Sequence, residues 1–301
     1  MQQKYLEPHH PQLVLTYNNI AGTHGSMGHY PIALKYYEKV LDIQQKHQPS
    51  NDAAFATTYN NIGEVHQSIA DYSTALSYYQ KALNIQQQSL PNNHPSLATT
   101  YHNIAVANKS CGDFTAALLH YNKALQIKQK SLPHNHPELA TTYISIGELH
   151  RSLGDYSTAL SHCEQALYIQ QTVLPPNHPD LAITYNNIAT TYNSMGDYST
   201  ALGHYEKTLE IQQKSLPSTH PSLATTFDNI GGVHRSLGNY LKAISYCQQA
   251  LRIQQLALPS NHPDLANTYN NIAATNEAMG DYSAALSYYE KTLEIQQKSL
   301  P

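Results

Sequence analysis

Eighteen histidines run through this 301-residue chain, and histidine is the side chain readiest to hold a metal or move a proton near neutral pH. Their spacing argues against both uses. His-Pro recurs at 10/11, 94/95, 136/137, 178/179, 220/221 and 262/263, with Asp52-Ala53 at the one skipped step, so six of these histidines are copies of a single position in a 42-residue period. A zinc ion needs three or four ligand atoms at about 2.0–2.1 Å, whereas stacked helices sit about 8–10 Å apart, so one histidine per repeat cannot readily supply a site. A second set, His66, His150 and His234, also recurs in register and is expected to pack or make a polar edge contact. Serine is plentiful too, yet each candidate nucleophile is a repeat copy, and a catalytic site needs one distinct constellation. There is no glycine-rich phosphate loop, HExxH or nucleophile elbow. The expectation is no catalytic residue, no metal and no cofactor: the chain is not an enzyme.

The elements that carry these residues follow from one stretch, NHPDLAITYNNIATTYNSMGDYSTALGHYEKTLEIQQKSLP over 177–217, which reappears at steps of 42. Such a period is the signature of a repeat array, in which each unit packs on its neighbours and no single core grows with length. Pro179 suits a first helical turn, and it keeps His178 out of the helical region. Asp180 favours the helix dipole. Leu181, Ala182, Tyr185, Ile188, Ala189 and Tyr192 then follow helical spacing. Gly196 predicts a left-handed stop and Asp197 a new N-cap. The second helix is expected to bury Tyr198, Ala201, Leu202, Tyr205, Leu209 and Ile211, with Ala189 and Ala201 facing across the hairpin. A finer alternation lies on top: IGEVHQS, IGELHRS and IGGVHRS mark units two, four and six.

These residues resemble the tetratricopeptide repeat. Tyr185, Ile188-Ala189, Tyr192, Gly196, Ala201 and Tyr205 meet that family's pattern, with Thr208 where its last alanine is usual. The 42-residue length and the HPDLA…TYNNIA…GDY…AL signature are similar to the kinesin light chain type. The resemblance implies an all-α fold, an α-solenoid forming a right-handed superhelix of seven helix-turn-helix repeats. The units fall at 7–48, 49–90, 91–132, 133–174, 175–216, 217–258 and 259–301. Residues 1–6 read as the tail of a helix from a preceding repeat, because Met1-Gln2-Gln3-Lys4 aligns with Ile295-Gln296-Gln297-Lys298. The second unit is the weakest, since Pro49–Ala53 lacks His-Pro and Ala70 replaces the turn glycine.

In that family the first helix of each repeat lines a concave groove, so its polar positions become the candidates. They are the amide pairs Asn18/Asn19, Asn60/Asn61, Asn186/Asn187 and Asn270/Asn271, with Asn103 and Asn229, and one or two turns later Lys109, Arg151, Asn193 and Arg235. A primary amide both donates and accepts, so it can hold the backbone of an extended peptide without reading sequence. Lys109, Arg151 and Arg235 would select acidic residues. The family's chaperone-tail clamp needs basic residues where this chain has Thr99, Thr141, Thr225, His102, Ile144, Asn103, Ser145 and Asn187, so that role is not expected. The implied function is a protein-binding scaffold, a kinesin light chain-like adaptor; the alternative is a substrate-recruiting array of a larger enzyme.

A net charge of −4 with only 13% charged residues favours neither nucleic acid nor an anionic membrane as partner. No apolar run approaches the ~18 residues of a membrane span, and MQQKYLEPHH lacks a signal layout. Cys111, Cys163 and Cys247 are expected as reduced core residues, which suits the cytoplasm. End-to-end or capping contacts at the array ends are expected because neither end carries a polar capping helix.

Overall fold

The computed structural model describes residues 10–47 and 53–299. The helix tail read at Met1–Lys4, the Pro49–Asp52 part of the weak linker, and Leu300-Pro301 lie outside the described residues. Among the described residues there are fourteen α-helices and no strand. The first helices of the repeats are α1 (Leu13–Ser26), α3 (Ala53–Ser68), α5 (Pro95–Ser110), α7 (Pro137–Ser152), α9 (Pro179–Met195), α11 (Pro221–Ser236) and α13 (Pro263–Ala278). The second helices are α2 (Tyr30–His47), α4 (Tyr72–Ser89), α6 (Phe114–Ser131), α8 (Tyr156–Val173), α10 (Tyr198–Ser215), α12 (Tyr240–Ala257) and α14 (Tyr282–Ser299). The chain is an α-solenoid of seven helix-turn-helix repeats. None of its described helices is long and apolar enough to cross a membrane.

Local chemistry sets each helix start. The His-Pro histidines do more than precede a proline: His94, His178, His220 and His262 are N-caps in extended backbone. Each Nδ1 accepts from the backbone N–H two residues on, at 3.2 Å. An imidazole nitrogen here replaces the usual hydroxyl or carboxylate in satisfying an orphan donor of the first turn. The second helices start on aspartates. Asp71, Asp113, Asp155 and Asp197 each accept from the backbone N–H three residues on. The side chains of Thr74, Thr158 and Thr200, and then those backbone bonds, hold the carboxyls of Asp71, Asp155 and Asp197 below the ordinary aspartate range. Gly196 takes φ 81°, the left-handed stop its sequence predicts, and Ala70 is forced to φ 60° at the equivalent turn.

The chain forms two compact units, one ending at Leu149 and the other beginning at His150. In the first, α1 to α6 pack each on the next, and α1 also touches α3, as α3 touches α5. In the second, α8 to α14 pack in the same succession, with α9 touching α11 and α11 touching α13. First helices therefore form the tighter, inner row of each unit. The core is assembled hairpin by hairpin: Tyr79, Tyr121 and Tyr205 are fully buried beneath the neighbouring first helix, and Ala189 and Ala201 share one cluster with Tyr205. At Gly63 the approach is close enough that a Cβ would stand 2.5 Å from the Tyr79 ring. Tyr198, Leu202 and Leu209 are only half-buried and pack at the edge of that cluster. Cys163 and Cys247 are buried free thiols, but Cys111 ends α5 and is exposed, so it is not a core residue.

Candidate binding face

One buried polar contact repeats at successive junctions. A threonine on each of four first helices donates to a glutamine on the preceding second helix: Thr58 to Gln44 (3.0 Å), Thr100 to Gln86 (2.8 Å), Thr184 to Gln170 (2.6 Å) and Thr226 to Gln212 (2.8 Å). Buried polar groups must find partners, and here they find them across the repeat boundary, which fixes the register of one hairpin on the next. In the second repeat the first residue of the amide pair belongs to this junction. Asn60 is buried and its Nδ2 donates to Thr100 Oγ1 at 2.7 Å, completing a relay from asparagine through threonine to glutamine.

Two junctions carry ionisable groups in that relay. In the first unit His102 stands in the place of Asn60, and Lys128 replaces the glutamine, donating to Thr142 Oγ1 at 3.2 Å and pairing with Glu138 at 3.3 Å. Burial, and then the Lys128 charge, push the His102 imidazole down to about 4. In the second unit Asp228 takes the asparagine's place. Its Oδ2 accepts from Thr268 and from Gln254 Nε2, reversing the relay and leaving Gln254 Oε1 buried without a partner. Burial pushes the Asp228 carboxyl up to about 6, and the neighbouring Cys247 thiol up to about 12.

The inner row of the first unit is largely self-paired. Asn103 Nδ2 donates to Glu64 Oε1 at 3.1 Å, and Lys109 forms an ion pair of 2.8 Å with Glu148. Lys109 therefore does not offer a free cation to a partner. Asn18 and Asn61 are half-buried and Asn19 is exposed. Gly22, Gly25, Ser26, Tyr30, Tyr37, Asn61, Glu64, Val65 and Ser68 line an open cleft of about 250 Å³ between α1 and α3.

The second unit differs. Asn229 Nδ2 donates to Asn186 Oδ1 at 3.3 Å, an amide rung between α11 and α9, while Asn187 is buried. Asn270 is exposed and Asn271 half-buried. Arg151, Asn193 and Arg235 are half-buried at one repeat position on α7, α9 and α11. Among the described residues the ion pairs of this unit are His150–Asp155, His178–Asp180, Lys214–Glu210, His262–Asp264 and Lys298–Glu294, and neither arginine is in one of them. Their charges reach inward instead: Arg151 and Thr190 oppose the rise that burial imposes on the Tyr205 phenol. Arg235 opposes the rise at Tyr289, whose hydroxyl bonds Glu277 at 2.7 Å.

The in-register histidines His66, His150 and His234 serve packing and polar edge contacts. His66 and His150 bond Asp71 and Asp155 at 3.1 Å, and His66 stacks on Tyr78 while His234 stacks on Tyr246. Lysines lie over the tyrosine rings at the hairpin edges, Lys81 at 4.7 Å from the Tyr78 centroid and Lys291 at 4.8 Å from that of Tyr288. Among the described residues no three His, Cys, Asp or Glu converge on a point where a metal could sit.

Comparison with known proteins gives the same picture. A family profile described as tetratricopeptide repeat matches residues 54–130, 138–214 and 222–298, and a second of the same description matches 13–47. No curated protein matches the chain. Of the solved structures, BtubC (BKLC) from P. vanneervenii is 23% identical with a TM-score of 0.62, over 77% of this chain and 91% of that one. A structure described as a Podosopora anserina kinesin light chain with nearly identical TPR-like repeats is 25% identical with a TM-score of 0.58, over 68% and 98%. The apo form of RapI is 16% identical with a TM-score of 0.70, over 95% and 98%.

Proposed function

We propose that this chain, which belongs to the tetratricopeptide repeat family, is a non-catalytic scaffold that holds an extended partner segment along the inner row of its first helices. Arrays of this family generally bind protein partners, and the likeness to the kinesin light chain repeats supports an adaptor role. The observation that carries the reading is the inner row of the second unit. Arg151 and Arg235 present two cations outside every ion pair among that unit's described residues, flanking Asn193 and the Asn186–Asn229 rung. Amides can hold a peptide backbone, and guanidinium groups read carboxylates through paired hydrogen bonds. The partner is therefore an extended peptide carrying acidic residues.

A displayed peptide library selected against the wild-type chain should enrich acidic sequences. The selected peptides should bind Arg151→Glu/Arg235→Glu at least tenfold more weakly. Lys109→Met should lose much less, because Lys109 is already paired with Glu148. Equal affinity of the selected peptides for wild type and the double charge reversal would remove the arginines from the site.

A further inference from the structure

The cleft between α1 and α3 carries a second recognition element. Its wall on α1 is Gly22 and Gly25, at positions that hold Glu64 and Gln67 in the next repeat. Both glycines are inside a helix, where each costs about 1 kcal/mol relative to alanine. Packing does not demand them: a Cβ on Gly25 would meet nothing within 4 Å, and one on Gly22 would lie 3.9 Å from the Tyr37 hydroxyl. Neither adopts a positive φ. What they do is keep the α1 side of the cleft bare.

Glu64 stands opposite that bare wall. It is accessible to solvent yet sits in a concavity crowded enough that desolvation raises its carboxyl above the ordinary range, against the pull of the Asn103 hydrogen bond. Among the described residues it takes part in none of the first unit's ion pairs, which join Lys46 to Asp42, His66 to Asp71, Lys109 to Glu148 and Lys128 to Glu138. Its negative charge adds to the burial that raises the Tyr37 and Tyr79 phenols. A partly desolvated carboxylate that remains reachable gains more from an incoming cation than a fully hydrated one does. Around it, Asn61, Ser26, Ser68 and the Tyr30 and Tyr37 rings supply hydrogen-bond acceptors and aromatic surface. That combination suits a planar guanidinium, which forks to a carboxylate and stacks on aromatic faces.

We propose that the Gly22–Gly25–Glu64 cleft is a pocket for an arginine side chain of the partner. Glu64 is its counter-ion, and the two glycines are the space the side chain occupies. The proposal rests on the peptide-binding reading above and adds a basic anchor read by the first unit to the acidic residues read by the second.

The probe is Nα-acetyl-arginine amide, titrated into the ¹⁵N-labelled full chain and followed by NMR, with the isosteric neutral acetyl-citrulline amide as control. Saturable shifts should appear at the amides of Gly22, Gly25, Asn61 and Glu64. Affinity should fall at least tenfold for citrulline and for Glu64→Gln, which keeps an acceptor for Asn103. Gly25→Leu, placed where the backbone has room, should fill the cleft and abolish the response while leaving the helices intact. No saturable shift, shifts elsewhere, or equal binding by citrulline or by Glu64→Gln overturns the pocket. Arg151→Glu/Arg235→Glu should leave this titration unchanged, so failure of the acidic-peptide reading and failure of the cleft are separate results.

Discussion

The junction built on His102, Lys128 and Thr142 and the one built on Asp228, Gln254 and Thr268 occupy the same repeat positions and respond to pH in opposite directions. The neutral prototype is Asn60–Thr100–Gln86, in which Asn60 donates to Thr100 and Thr100 to Gln86. Replacing the amide with a base in one unit and an acid in the other keeps the shape and changes which protonation state fits. A buried base is tolerated neutral, and a buried acid is tolerated protonated. A repeat position that is only structural in one unit thus becomes a titrating position in another.

The His102 junction should show the larger effect. Its imidazole is at about 4 in the folded chain against an ordinary 6.5, so between those values the unfolded chain binds more protons. The stabilisation is complete above pH 6.5 and is lost as pH falls toward 4, by about 2–3 kcal/mol allowing for partial solvent access. Amide hydrogen exchange should show α5 and α6 losing protection as pH drops from 6.5 to 4.5, and His102→Asn should flatten that loss. A variant that keeps the wild-type acid profile would break the comparison on this side.

Asp228 runs the other way. Its folded value of about 6 lies above the ordinary 3.8, so its contribution is complete below 3.8 and is lost as pH rises through 6. From pH 5 to 7.5 the linkage amounts to roughly tenfold in the folding equilibrium, about 1.4 kcal/mol. Asp228→Asn can donate to Thr268 as Asn60 donates to Thr100, which frees Thr268 to donate to Gln254. Protection of α11 to α13 should then exceed wild type at pH 7.5 and match it closely at pH 4. The groups facing Asp228 are Cys247 on α12 and Asp264 on α13, with Arg235 on its own helix acting on Cys247. His234, also on α11, is held low by burial and loses stability in the acid direction, so the difference between variant and wild type is the quantity to read. A difference that does not grow with pH would sink the reversed relay.

The hairpins were legible because their signals are local. Pro179, Gly196 and Asp197 act within a turn of themselves, and the Tyr/Ala/Leu period reports a buried stripe wherever it occurs. The junctions were harder because their partners lie one repeat away. Asn60 reaches Thr100 and Glu64 reaches Asn103, offsets of 40 and 39 residues, so adding the 42-residue period to an ordinary helical neighbour finds them. The same arithmetic places Lys109 on Glu148, which the sequence left as a free cation. Asn187 looked like a groove amide and is buried, because helical periodicity alone does not separate the inner face from the edge that meets the next repeat. The His-Pro histidines read as linker geometry; that Nδ1 caps the helix depends on ring orientation, which no spacing reveals.

The two units also differ at their turns, and here the expected effect is smallest. Ala70 and Gly196 make the same pair of closing bonds. Ala70 N–H donates to Gln67 O (3.0 Å) and Asp71 N–H to His66 O (2.9 Å); Gly196 N–H donates to Asn193 O and Asp197 N–H to Tyr192 O, both at 3.0 Å. Since the bonds are equal, the cost of φ 60° at a residue with a Cβ is not recovered locally in the first unit. Left-handed backbone costs an L-residue about 1–2 kcal/mol, and glycine loses more chain entropy on folding, which returns part of it. Ala70→Gly should therefore gain about 0.5–1 kcal/mol in urea denaturation. Gly196→Ala should lose about 1 kcal/mol, since nothing crowds the site and only the backbone strain is paid. Opposite signs of similar size would show that the first unit keeps a strained turn for which its neighbours supply no compensation; a neutral Ala70→Gly would mean that α3 and α4 already absorb it.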